Sequence, residues 1–213
     1  MFDFFQVEEI ELGVPKVDTS SWRRCFFDLE GSLTTEGDII QLAMIFTDWD
    51  LKVTGVYNSY FRNTRPITPK ELSVHGITEE FLKENTSSTF IEALESIPLY
   101  SAKSTMFVSY TTFDVKRINQ ELIHHNLQPV DFGPHVVDLV ADLSDGSNCH
   151  FNAYAYGKKK GSVLIKELDE ESIQGIYDEM SQFGHFEKLS NHDALFDSVM
   201  ILSLCRRHLN GSR

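Results

Sequence analysis

Residues 22–63, WRRCFFDLEGSLTTEGDIIQLAMIFTDWDLKVTGVYNSYFRN, contain three runs dense in aromatic and β-branched residues: 22–30, 37–50 and 51–63. Such side chains fill a pleated, half-buried surface well, so each run is expected to be a strand. The Asp48–Trp49–Asp50 corner separates the second from the third, and three successive antiparallel strands follow from the order. Asp28 and Glu30 stand two apart at the end of the first run. Alternation along a strand points them to the same face.

Beyond this region helical signals begin. TPKE at 68–71 offers a Thr68 cap, Pro69 in the first turn and Glu71 reaching back. TFIEALESI repeats the device with Thr89 and Glu92, and Phe90, Leu94 and Ile97 recur at helical spacing. STMFVSY (104–110) reads as a buried strand. FDVKRINQELIHHN reads as a helix with Val115, Ile118, Leu122 and Ile123 on one apolar face, and HVVDLVADL as a second short strand.

Two helices close the pattern. LDEESIQGIYDEMSQF buries Leu168, Ile173, Ile176, Tyr177 and Met180; SNHDALFDSVMILSLCRRHL starts with a Ser190-x-x-Asp193 capping box. Strands alternating with helices in the second half predict parallel additions to the antiparallel hairpins. The fold class is therefore α/β, a mixed five-stranded sheet flanked by helices, in one domain over 21–210 after a lead-in over 1–20.

Composition narrows the functional classes. The chain has 213 residues, 41% of them hydrophobic, with 16 Phe and 7 Tyr, enough for one sizeable core. Its 19 basic against 32 acidic side chains give a formal charge of −13, which excludes gripping nucleic acid by a broad basic surface. Lys158, Lys159 and Lys160 form the one basic patch, a solvated loop or a phosphate contact. Cys25, Cys149 and Cys205 are odd in number and lack zinc-ligand spacing, so reduced buried thiols are expected. The acidic N-terminus and the absence of a long apolar run predict a cytoplasmic protein with no membrane association.

Two carboxylates held on one strand face repel each other unless a cation lies between them. With neither His nor Cys adjacent, a hard divalent ion, Mg²⁺ or Mn²⁺, is the expected guest; the alternative is a strand end turning polar as it reaches water. Two further acids stand in apolar settings. Asp114 follows the buried strand where a helix should begin, preceded by Phe113. Asp197 lies among Leu195, Phe196, Val199 and Met200, a costly place for a charge without a partner. The alternative for Asp197 is a solvent-facing helix acid, since Ser198 interrupts the apolar band.

FFDLEG, TTFDVKRI and HDALFD resemble, in order and in spacing, the three motifs of the DEDDh 3′→5′ exonucleases, the RNase H-like family that includes the DnaQ-like proofreading epsilon subunit and oligoribonuclease. HGIT at 75–78 stands where relatives carry it. His192 lies five residues before Asp197, whereas the sister DEDDy group needs a Tyr four before, a position held here by Asp193. The resemblance implies that Asp28, Glu30, Asp114 and Asp197 bind two divalent ions and that His192, with Glu30 in the catalytic set, acts as general base. It also implies that Gly31, Ser32, Leu33 and Phe113 meet the substrate.

The expected activity is metal-dependent hydrolysis from the 3′ end of single-stranded DNA or RNA, releasing 5′-mononucleotides. The alternative is a catalytically silent nucleic-acid- or partner-binding module of the same fold. Polymerase association, as a proofreading subunit, is a further alternative, and RRHLNGSR carries no recognisable polymerase-binding tail. The chain departs from the family where relatives follow the first Glu with Thr and Gly; here the run is Gly31-Ser32-Leu33. Ser109 and Tyr110 replace the His-Asn pair that many relatives carry before the second motif.

Overall fold

The computed structural model describes residues 19–32, 37–99, 105–132, 136–138, 168, 170–186 and 193–211. Residues 1–18, Leu33, Cys149, the 158–160 lysines, Ser190 and His192 lie outside these. Strands β1 (Arg24–Gly31), β2 (Ile39–Thr47) and β3 (Val53–Tyr60) form the antiparallel group. Helices α1 (Pro69–His75) and α2 (Glu79–Asn85) follow. Next come β4 (Met106–Ser109), α3 (Phe113–His124) and β5 (Val136–Asp138). The described chain ends with α4 (Glu170–Met180) and α5 (Ala194–Gly211). The sheet order is β3-β2-β1-β4-β5, with β4 parallel to both β1 and β5, the mixed α/β arrangement expected from the strand and helix order.

Two apolar layers sandwich the sheet. On one face, Cys25, Phe27 and Leu29 of β1 pack with Leu42, Met44 and Phe46 of β2, Phe107 of β4, and Ile118 and Leu122 of α3. On the other, Phe26, Ala43, Ile45 and Val108 meet Ile173, Ile176 and Met180 of α4 and the long apolar side of α5. All nine residues of β2 are buried, as befits a strand covered on both faces. Cys25 and Cys205 are buried free thiols, as expected.

HGIT is a helix-to-helix joint. Gly76 takes a left-handed backbone (φ 69°) that closes α1 while its N–H donates to the Leu72 carbonyl; two residues on, Thr78 caps α2 by accepting from the Phe81 N–H at 3.1 Å. The Thr68–Glu71 capping box forms as expected.

Three expectations are corrected. The Thr89–Glu92 box also forms, at 2.8 and 3.2 Å, but only turns and a 3₁₀ segment at Leu94–Ser96 follow instead of an α-helix. Pro98 favours extended backbone at Ile97, whose ψ is 128°, and leaves no room for a second turn. On α3, Ile123 is 58% exposed; the buried side is Asp114, Arg117, Ile118, Glu121 and Leu122, with Arg117 and Glu121 paired at 3.0 Å. The cap of α5 is Asp193 itself, accepting from Leu195 and Phe196 N–H, so the helix starts three residues later than a Ser190 cap requires. The short helix α2 was not expected, although Thr78 followed by Glu79 and Glu80 is its sequence signal.

Candidate active site

The site begins with the parity of β1. Phe26 faces α4 and α5, so the alternating Asp28 and Glu30 project from that same face at the strand's C-terminal end. Across the antiparallel ladder Asp28 is opposite Ala43 and Glu30 opposite Gln41, and a β-bulge falls between Glu30 and Gly31. Bulges re-aim side chains at strand ends, here just where the acids stand.

Helix α5 crosses this face and sets Asp197 in its first turn. One carboxylate oxygen from each of Asp28, Glu30 and Asp197 can be chosen so that all lie within 4.8 Å of one another. Ser198, which interrupts the apolar band in sequence, is fully buried against β2 and its hydroxyl donates to the Ala43 carbonyl at 3.4 Å. Asp197 is thereby turned toward the strand acids and is only half-buried. Asp114, second residue of α3 and buried, arrives from the end of β4.

The electrostatics record this crowding. Burial first, then the charges of Asp114, Asp197, Glu30 and Asp193, push the Asp28 carboxyl well above the ordinary carboxylate range. Burial, followed by Asp197, Asp193 and Asp114, raises Glu30 to about 8. All four sequence-selected acids therefore share one field. An all-carboxylate donor set of this kind suits a hard divalent cation, whose charge would relieve the repulsion.

Beside the acids, the β1–β2 connection borders a cavity of about 170 Å³ lined by Gly31, Ser32, Asp38, Arg65, Glu71 and His75, among others. The backbone is tight here: a Cβ on Gly31 would lie 2.4 Å from the Asp38 carbonyl oxygen, and one on Gly37 would overlap Ser32. The Ser32 hydroxyl donates to Glu71 Oε1 at 2.6 Å, while Glu71 Oε2 accepts from the Thr68 N–H. His75 is buried, and its Nδ1 accepts from the Ile77 N–H at 3.0 Å, placing the proton of the neutral ring on Nε2. Phe113 is 53% exposed at the start of α3, next to Asp114.

Glu71 and His75 were not singled out from sequence as site residues, because a capping Glu and a turn His have ordinary explanations. Gln41 was missed as well, though it carried a signal: a lone amide inside the buried run IIQLAMIF must have a partner.

A family model described as an exonuclease, RNase T, matches residues 26–205. No significant match appears among curated proteins. Several solved structures share the fold. The nuclease domain of 3′hExo, a DEDDh family member bound to rAMP, is 15% identical over 90% of this chain and 94% of its own, with a TM-score of 0.58. A full-length 3′-exonuclease is 16% identical over 88% of this chain and 81% of its own, with a TM-score of 0.63. The zinc-bound E. coli ExoI–ssDNA complex is 16% identical with a TM-score of 0.61; the alignment covers 90% of this chain but only 41% of that one.

Proposed function

Because the chain belongs to the RNase T family of exonucleases, we propose that it is a metal-dependent 3′→5′ exonuclease of single-stranded DNA or RNA that releases 5′-mononucleotides. The observation that carries this reading is the convergence of Asp28, Glu30 and Asp197 on one small volume, with Asp114 in the same field. The proposed catalytic domain spans 21–210. Support for a nucleic-acid 3′ end as substrate comes from rAMP and single-stranded DNA bound to proteins of like fold.

Asp28, Glu30, Asp114 and Asp197 would hold two ions, Mg²⁺ or Mn²⁺ by the hardness of their oxygens. When bound, such ions supply activation of the attacking water and charge stabilisation at the leaving oxygen. His192, outside the described residues, is the proposed general base. It takes the water's proton as the water oxygen bonds to phosphorus and the P–O3′ bond breaks. The phosphate leaves on the 5′ side of the terminal nucleotide, and the departing oxygen, protonated from solvent, becomes the new 3′ hydroxyl.

On the substrate side, Gly31, Ser32 and Leu33 are assigned to the terminal nucleotide, and the exposed Phe113 ring to base stacking. The tight Gly31 and Gly37 backbones support this, since they keep the connection slim beside the acids. Part of the formal charge of −13 is this cluster of acids at the proposed reaction centre, which bound ions would convert into a phosphate-binding surface.

The test uses 5′-labelled single-stranded DNA and RNA of one sequence, incubated with the protein in Mg²⁺, Mn²⁺ or EDTA. A ladder shortening from the 3′ end is expected, abolished by EDTA and reduced at least about 1,000-fold by Asp28→Ala and by His192→Ala, equivalent to roughly 4 kcal/mol of barrier. Binding without digestion under any metal would replace the enzyme with the silent binding module.

A further inference from the structure

Four residues before Asp197, a second polar assembly is buried against the sheet. Gln41, fully buried in β2, donates from Nε2 to Asp193 Oδ2 at 2.9 Å and to Asn58 Oδ1 at 3.1 Å, and accepts at Oε1 from the Ala194 N–H at 3.1 Å. Tyr60 of β3 donates its hydroxyl to the same Asp193 Oδ2 at 2.8 Å. The other oxygen, Oδ1, accepts from Leu195 and Phe196 N–H at 3.0 and 3.2 Å. Asp193 thus receives four donors while only 8% exposed, two from its own helix and two from the sheet.

A helix cap needs only the Oδ1 half of this arrangement. The Oδ2 half, and the Gln41 carbonyl seated on Ala194 N–H, instead fix α5 against two strands. The register shows what is thereby fixed. Glu30, Gln41 and Tyr60 are lateral partners across β1, β2 and β3, one row of the sheet. The Asp197 N–H donates to the Asp193 carbonyl at 2.9 Å, so Asp197 stands one helical turn beyond the clamped residue. The row that carries Glu30 is therefore the row on which the first turn of α5 is bolted.

We infer that Gln41, Tyr60 and Asp193 form a positioning clamp that sets the distance and phase of Asp197 relative to Glu30 and Asp28, without themselves being ligands. This rests on the reading of those acids as a metal cage. With its inward lone pairs occupied by neutral donors, Asp193 is kept out of the cage although it lies beside it. Small rotations of α5 about its axis would carry Asp197 away from the strand acids, and the clamp opposes them from two strands at once.

The test is Mn²⁺ binding to the full chain, followed by calorimetry or by the loss of free-ion electron paramagnetic resonance signal, with melting in EDTA as the fold control. Gln41→Met keeps the volume and removes three hydrogen bonds; Tyr60→Phe removes one oxygen and decides the matter if the first variant does not fold. Expected is about 10-fold weaker Mn²⁺ binding for Gln41→Met, the low end of what loss of ligand-orienting contacts produces, and a smaller loss of about 3-fold for Tyr60→Phe, which removes one hydrogen bond instead of three. Ile176→Val, a core truncation on α4, should lower the melting temperature and leave the isotherm unchanged. If Gln41→Met and Tyr60→Phe melt earlier but bind Mn²⁺ like the parent, the clamp is merely structural and the inference falls. If the parent itself binds no Mn²⁺ and digests no nucleic acid, the exonuclease reading is overturned, and the clamp's proposed role with it.

Discussion

The two faces of β1 make different use of the same strand. Its odd residues, Cys25, Phe27 and Leu29, lie in one apolar cluster, where the Phe27 ring meets Phe107 edge-on and Phe132 in a stack. Of the even residues, Arg24 opens the strand, Phe26 packs under α4 and α5, and Asp28 and Glu30 follow as acids. Burying apolar area on the first face stabilises the fold directly. Burying carboxylates on the second opposes it, because each loses hydration and faces other acids. Both faces hold the sheet by apolar packing, but the second also carries a cost at Asp28 and Glu30, offset by the long apolar side of α5.

The largest loss of stability is expected from truncation on the apolar face. Phe27 is fully buried between Phe107 and Phe132, so Phe27→Ala should cost about 3–5 kcal/mol in chemical denaturation. The residual folded protein should keep the parent's affinity for Mn²⁺, because the acids proposed to hold the ion stand on the other face.

The polar face should respond to pH with the opposite sign from an ordinary surface acid. Glu30 titrates near 8 in the folded chain, above its usual 4.5, so without divalent ions the folded state holds its proton more tightly than the unfolded chain does. Its stabilising contribution is complete below pH about 4.5 and is lost as pH rises through about 8. Asp28 shifts in the same direction. In EDTA the melting temperature should therefore decline between pH 5.5 and 8.5. Mg²⁺ should flatten that decline, and Glu30→Gln should remove its share of it. A melting temperature that rises across this window in EDTA would contradict the crowding of the acids.

The smallest effect is expected on α3, where the two faces of one helix can be compared. Ile123→Lys should change stability by no more than about 0.5 kcal/mol, since Ile123 is exposed, whereas Ile118→Ala, one and a half turns earlier and fully buried, should cost about 2–5 kcal/mol. Equal losses at the two positions would restore the apolar face that the spacing of Val115, Ile118, Leu122 and Ile123 suggests.

Much of this architecture was legible in the chain. Alternation and β-branched content gave β1, β2 and β3, and the 3.6-residue spacing of Ile173, Ile176, Tyr177 and Met180 gave α4 with its buried side intact. The capping box at Thr68 was read correctly because both partners are local. The same local logic overreached at Thr89, where the box formed but Pro98 stopped the helix, and at Ser190, where Asp193 was already capping from a position set by Gln41 and Tyr60. On α3 the periodicity was right for Ile118 and Leu122 but wrong for Ile123, because the buried Arg117–Glu121 pair takes a place that hydrophobicity alone would refuse it.

By itself the sequence determined which residues could form a cage: acids two apart on a strand, one at a helix start and one inside an apolar helix are each locally conspicuous. That Asp28, Glu30 and Asp197 meet within 4.8 Å, that Asp114 joins their field, and that Asp193 is held aside from them depended on how α5 lies on the sheet. The phase of α5 is fixed by contacts between residues more than 150 positions apart, such as Gln41 with Asp193, and the register of the strands beneath it by ladder pairs such as Glu30 with Gln41. Local propensity carries no information about contacts at that separation; only the packing of the sheet and helices supplies it.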